Sequence, residues 1–350
     1  MSIEKKPFGQ LHTGEKADLY ILKNGSGAWV SITNYGGIIT SIHVPGRDGK
    51  LVDVLLGAND VSGYAPHNNG YLGALIGRVG NRIGNGVAIL NGQPLYLAKN
   101  SNGQHLHGGN VGFDRKLWSV KMDKLTNSLM LSYVSPDGEE NYPGTLEVRV
   151  TYTWSERNAL SIHYEATSDK DTLCNLTNHA YFNLNGEDSG SIVDHEIQID
   201  ADRLTVVDEF CIPTGELRDV TGTPFDLRKM TRIAEGLVLE SSDEQLTFGG
   251  GYDHNFALNG SGYREIVKLK GDKTGIDMTV ETDQPGVQLY IGNGLNGSFI
   301  GKKRPYEKRD GLCLETQLFP DSVNHNNFES CVLLAGEKYD TTTCYTFGTD

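Results

Sequence analysis

The chain has 350 residues and a formal net charge of −14, from 45 acidic and 31 basic side chains. That balance excludes the basic surface that nucleic acid or an anionic membrane demands. It also disfavours a phosphorylated substrate, unless one local cationic pocket overrides the average.

Hydrophobic residues make up 37% and charged residues 22%, which describes a globular chain and not a disordered one. Glycine is abundant, at 43 residues, and long helical patterns are scarce, so the expectation is an all-β fold of many strands joined by turns. Length alone suggests two domains, but all-β folds often run long as one, and a single domain over residues 1–350 is expected. The five cysteines are Cys174, Cys211, Cys313, Cys331 and Cys344. With an odd count and no C-x-x-C pair they form neither a disulfide framework nor a zinc ribbon, so reduced, mostly buried thiols are expected. The opening residues, MSIEKKPFGQ, hold no apolar core of a signal peptide, and no run of 18 apolar residues occurs, so the expected location is cytoplasmic.

Residues 18–57 read as a β-meander. DLYILKN, AWVSITNYG, IITSIHV and LVDVLLG are short apolar runs parted by glycine-rich turns. Residues 58–70 are polar and read as a loop. In LGALIGRVGNRIGNG, residues 72–86, Asn81 and Arg82 sit among glycines. Arg82 is either a solvated turn residue or a donor of two parallel hydrogen bonds to a ligand that the glycines let approach. No GK[ST] follows, so this is not a P-loop. His105 and His107, in KNSNGQHLHGGN, would share one side of an extended segment, as the start of a metal site or as loop residues.

The clearest hairpin spans residues 145–166. Leu146, Val148, Val150, Tyr152 and Trp154 alternate with polar residues, and Leu160, Ile162 and Tyr164 alternate again after a turn at Ser155–Asn158. Next comes NLTNHAYFNL, Asn175 to Leu184, which reads as a strand with His179, Tyr181 and Asn183 on one face and Asn178, Ala180 and Phe182 on the other. A histidine there is either a hydrogen-bonded core residue or part of a polar pocket cut into an apolar sheet. Residues 208–227 read as an ordered loop covering something, and residues 229–240 as the helical turns of note. Tyr252, Asp253, His254 and Asn255 follow three glycines. GVQLYIG, residues 286–292, reads as a strand with Gln288 and Tyr290 on one face. The GxGxxG at 292–297 has no helix after it and is no dinucleotide site. Glu315 falls inside a strand, LCLETQ, where a carboxylate is costly unless hydrogen-bonded or used.

With Asn81-Arg82, HLHGG, NLTNHAYFNL, GGYDHNF, GVQLY and LETQ(x)FPD in this order, nearly the whole chain resembles the aldose 1-epimerase (galactose mutarotase) family. The resemblance implies one large antiparallel β-sandwich with an open sugar cleft on one sheet. It implies interconversion of the α and β anomers of free aldohexoses, without a cofactor, by a monomer or homodimer. Matched motif by motif, Glu315 looks like the general base and His179 like the general acid. Arg82, His107 and Asp253 look like sugar-binding partners, with Asn81 and Gln288 lining the cleft. Keeping His179 protonated would need a nearby carboxylate or carbonyl, for which Asp253 is a candidate. Four other readings are open: a two-carboxylate glycosidase using Asp253 and Glu315, a non-catalytic sugar-binding module, a cupin-like metal enzyme using His105, His107, His179 and Glu315, and a hexose-6-phosphate epimerase.

Overall fold

A computed structural model of the protein describes residues 1–65 and 70–350. Part of the loop expected over residues 58–70, at 66–69, lies outside the described residues. The remainder is built on antiparallel sheets. Five strands, Ser2–Gln10, Lys16–Lys23, Trp29–Thr33, Ile39–Pro45 and Leu51–Asp53, pair in chain order. The last four are the expected meander. The first was not legible, because the edge strand Ser2–Gln10 buries only Ile3 and Phe8 and so lacks an apolar alternation.

The largest sheet has nine strands. It contains the expected hairpin, Leu146–Trp154 with Ala159–Ser168, and the C-terminal strand Lys338–Thr349, the fifth of the nine, pairs beside it. Leu146, Val148, Val150, Tyr152 and Trp154 are all at most 1% exposed, while Glu147 and Arg149 on the other face are solvated. Alternation of this kind drives one face into the core by apolar burial.

A second five-stranded sheet carries the site. Its order is Pro213–Asp219, Arg203–Val207, Asp253–Ala257, Gly286–Tyr290 and Cys313–Gln317. Leu314, Val287, Leu289 and Phe256 turn one face into the common core. The C-terminal strand backs this face, with Tyr345 Oη donating to the Leu314 carbonyl at 3.0 Å. By alternation, Cys313, Glu315, Gln288, Tyr290, Asp253 and Asn255 stand on the opposite face. Register sets them in two rows: Asn255, Gln288 and Glu315 in one, Asp253, Tyr290 and Cys313 in the other.

The segment at 208–227 is not one long loop. A hairpin turn at 208–212 leads into the strand Pro213–Asp219, which pairs with Arg203–Val207. The Asp208 carboxylate caps that turn by accepting the Phe210 and Ile212 N–H groups, both at 2.9 Å. Ile212 reaches the Gly84 backbone, where an added Cβ would stand 3.2 Å from its Cγ2. Helical turns occur at Ile233–Leu237, as expected, and also at Glu244–Gly249, whose N-cap Asp243 accepts the Leu246 N–H at 3.0 Å. Gly292 to Gly297 is followed by the short strand Phe299–Ile300, not by a helix. Among the described residues no helix is long and apolar enough to cross a membrane.

Arg78 joins two parts of this frame. It is 2% exposed, and its guanidinium donates to Ser135 Oγ, to Thr172 Oγ1 and to the carbonyls of Ser135, Pro136, Pro143 and Gly144. These bonds tie the segment before Asn81 to the ends of the large sheet. Arg78→Met is expected to leave the acceptors unpaired and to cost at least about 3 kcal/mol. Urea unfolding followed by circular dichroism checks this, and a loss under about 1 kcal/mol would contradict it.

Candidate active site

A cavity of about 200 Å³ opens on the polar face of the second five-stranded sheet. It is lined by Asn81, Arg82, His107, His179, Asp253 and Glu315, with Gly70, Tyr71, Leu106, Tyr181 and Tyr290 between them. Six of the seven residues singled out in the sequence therefore meet at one place. Gln288 does not line the cavity. It stands behind Asp253, donating from Nε2 to Asp253 Oδ1 at 2.7 Å, while its own oxygen accepts from Gln317 Nε2 at 3.4 Å.

Each wall has a local origin. Asn81 and His107 both take left-handed backbone conformations, with φ of 61° and 50°. Non-glycine residues rarely hold this region without a compensating network. Here the His107 N–H donates to the Asn81 carbonyl, and the Asn81 N–H donates to His107 Nδ1, both at 3.0 Å. The second bond fixes the imidazole: Nδ1 is an acceptor, so Nε2 carries the proton and is a donor. The turn at His107 also breaks the expected alternation. His105 is buried apart from the cavity, between the Ala98 carbonyl (2.8 Å) and Tyr142 Oη (2.5 Å).

NLTNHAYFNL forms a short ladder, Thr177–Asn178 against Leu75–Ile76, with a parallel bridge from Asn175 to Val79 and a single bridge at Phe182 to each side. His179 and Tyr181 face the cavity as alternation requires. Asn183 does not, because its Nδ2 is spent on the carbonyls of Gly190 (2.7 Å) and Asp310 (2.8 Å). The His179 ring lies among aromatic neighbours, with ring centroids of Tyr181, His107, Tyr71 and Tyr290 at 5.0, 5.2, 5.8 and 6.0 Å. Its Nε2 is 3.6 Å from Glu315 Oε1, and its Nδ1 is 3.3 Å from the Cys313 sulfur.

Burial dominates the electrostatics. Glu315 is 2% exposed, and its Oε2 has no hydrogen-bond partner. Burial pushes its carboxyl well above the usual carboxylate range, the Asp253 charge adds to this, and Arg82 opposes it. Burial also pushes His179 down to about 4, against a smaller opposing pull from its own carbonyl and Asp253. Asp253 thus acts in the direction expected of it but does not prevail: His179 is neutral at pH 7. His107 is held well below its ordinary value by burial, then by His179 and Arg82.

The donor set suits sugar hydroxyls. Arg82 Nη2 stands 3.5 Å from Asp253 Oδ2, so one acceptor and one fork of donors sit side by side. Asp253 is engaged by Gln288 and Arg82, which leaves it poorly placed for the acid or base of a glycosidase. His107, His179 and Glu315 bring ligand atoms within 4.8 Å of one another, a spacing a metal ion could use. The Asn81 N–H argues against that use, since it keeps the His107 proton on Nε2, where a metal needs a bare nitrogen. Among the described residues Arg82 is the one cation lining the cavity, which does not favour a phosphorylated sugar.

Sequence reasoning missed Tyr71 and Cys313 as site neighbours. Tyr181 was legible as the residue two beyond His179. Tyr71 has a φ of 57° and follows no alternation that would place it.

A family model described as aldose 1-epimerase matches residues 18–346. A galactose mutarotase of Bos taurus is 42% identical over 349 residues, covering 99% of each chain. An aldose 1-epimerase of Escherichia coli (strain K12) is 35% identical over 338 residues, covering 95% of this chain and 96% of its own. Among solved structures, galactose 1-epimerase from Lactobacillus acidophilus superimposes with a TM-score of 0.86 at 29% identity, covering 99% of both chains. An aldose epimerase homologue from C. elegans gives 0.86 at 28%, covering 94% of this chain and 98% of that one.

Proposed function

The chain belongs to the aldose 1-epimerase family and is an isomerase, and on that premise we propose that it interconverts the α and β anomers of free aldohexoses such as D-galactose and D-glucose by general acid/base ring opening and reclosure. The observation that carries the proposal is the buried Glu315–His179 pair, 3.6 Å apart, at a cavity the size of one sugar ring. Polarimetry on a freshly dissolved anomer tests it.

Mutarotation opens a cyclic hemiacetal. The O1–H proton leaves, C1=O1 forms, the C1–O5 bond breaks, and O5 gains a proton. One base and one acid must therefore act together at the two ends of a small region. Glu315 takes the O1 proton and His179 gives one to O5. Opening converts carboxylate plus imidazolium into carboxylic acid plus neutral imidazole. Burial favours the second pair, as the upward push on Glu315 and the downward push on His179 indicate. The folded site is thus electrostatically matched to the open-chain aldehyde, and the two proton distributions differ by one transfer. After rotation about C1–C2, the roles reverse and the ring closes as the other anomer. Arg82, His107 and Asp253 hold the remaining hydroxyls. Asn81 sets His107, and Gln288 sets Asp253.

This arrangement predicts the pH profile. The pair works with one proton shared between its members, so kcat/KM is expected to be flat through neutral pH. The acid limb should fall where a second proton reaches His179, at about 4. The alkaline limb should lie where Glu315 loses its proton, well above the ordinary carboxylate range. Both limbs belong to the coupled pair. A steep acid limb near pH ~6.5, the value of an unperturbed histidine, would contradict this reading.

A further inference from the structure

Cys313 and Glu315 are two residues apart on the Cys313–Gln317 strand, so both side chains stand on the cleft face. The His179 imidazole lies across them, with Nδ1 3.3 Å from the Cys313 sulfur and Nε2 3.6 Å from Glu315 Oε1. Cys313 is fully buried and Glu315 nearly so. A neutral imidazole has a single N–H, and the partner at each nitrogen decides where it sits. On the Nε2 side stands a carboxyl group that burial pushes toward its protonated form, and a protonated carboxyl is a donor. Nε2 is then the acceptor, and the ring proton belongs on Nδ1. Two acceptors are available there, the sulfur and the residue's own carbonyl, and the carbonyl already accepts the Gly73 N–H at 2.9 Å.

We propose that Cys313 is a positioning residue whose sulfur accepts the His179 Nδ1–H, holding the imidazole in the tautomer that leaves Nε2 free to take and return the O5 proton. The cycle needs this tautomer. When the imidazolium gives its Nε2 proton to O5, the neutral ring left behind carries its proton on Nδ1, and the same bare Nε2 must recover the proton on reclosure. A ring that moved its proton to Nε2 could not act as base there. A thiol sulfur is a weak acceptor. A carboxylate in its place would raise the basicity of His179 and blunt it as an acid, whereas the sulfur orients the ring without doing so.

The kinetic consequence rests on the acid/base reading above, but the tautomer does not, so the experiment has two readouts. Protein labelled with ¹⁵N-histidine, with the His179 resonances assigned from a His179→Gln sample, reports directly which ring nitrogen carries the proton at neutral pH. The expected result for the native chain is Nδ1–H. Cys313→Ala should give a mixed tautomer and a fall in kcat of about fivefold, the factor for a weak hydrogen bond of about 1 kcal/mol, with KM within about twofold. Cys313→Ser restores an acceptor, and should restore both the Nδ1–H signature and most of kcat. If the alanine variant fails to fold, Cys313→Val fills the site without an acceptor and replaces it. Nε2–H in the native chain overturns the proposal. So does a Cys313→Ala variant that keeps the Nδ1–H tautomer, whether or not its kcat falls. If the native chain shows no mutarotation, the acid/base reading fails while the tautomer readout still decides the role of Cys313.

Discussion

Glu315→Gln is expected to lower kcat for mutarotation by about 10²–10⁴-fold, the range for loss of a positioned acid or base, while KM changes by no more than a few-fold. The amide keeps the size and much of the hydrogen bonding of the carboxyl but cannot take the O1 proton. The same substitution should stabilise the fold. The folded-state pKa of Glu315 lies above its unfolded value of 4.5, so its contribution to stability is fully present below 4.5 and is lost as pH rises toward the folded value. Glutamine has no such loss. Thermal melts of the two proteins should therefore diverge as pH rises above the unfolded value of 4.5, with the variant the more stable at the higher pH. A more active protein that is less stable at its own working pH is the signature of a group kept for chemistry. Equal kcat values would remove Glu315 from the mechanism. A variant whose melting temperature falls below that of the native chain across this range would contradict the burial argument.

His179→Gln should cost about the same, 10²–10⁴-fold in kcat. The sharper prediction concerns the double variant. Glu315 and His179 exchange one proton through the same sugar, so removing either disables the unit. Glu315→Gln with His179→Gln should be no slower than the slower single variant, within about threefold, because groups acting as a unit are strongly non-additive. Full multiplication of the two losses would mean that each acts alone, and the one-proton pair would have to be abandoned. The measurement is a double-mutant cycle in kcat on one anomerically pure sugar.

Much of this was legible because strands announce themselves by a period of two. The hairpin at 145–166 sets apolar residues against polar ones at alternate positions, and burial follows that pattern, while the meander was legible as short apolar runs parted by turns. Glu315 was legible for a different reason, as a carboxylate in a strand with no stated use. What stayed hidden depends on contacts between distant segments or on local backbone turns. His107 and His105 were assigned one side, but a left-handed φ at His107 separates them. Gln288 was placed in the cleft, yet only the register between two strands shows that it reaches Asp253 first. The Cys313–His179 contact joins residues 134 apart in the chain, and neither position alone hints at it. The protonation of His179 depends on how completely the tyrosines enclose it, which no local pattern encodes.

Polarimetry on freshly dissolved α-D-glucose and α-D-galactose tests the central claim most directly. Adding the native protein should speed the approach to the equilibrium rotation well beyond the spontaneous rate, in proportion to protein concentration and without a change in the endpoint. A rate on both sugars no greater than that of the buffer blank would contradict the claim that the Glu315–His179 pair opens and recloses free aldohexoses.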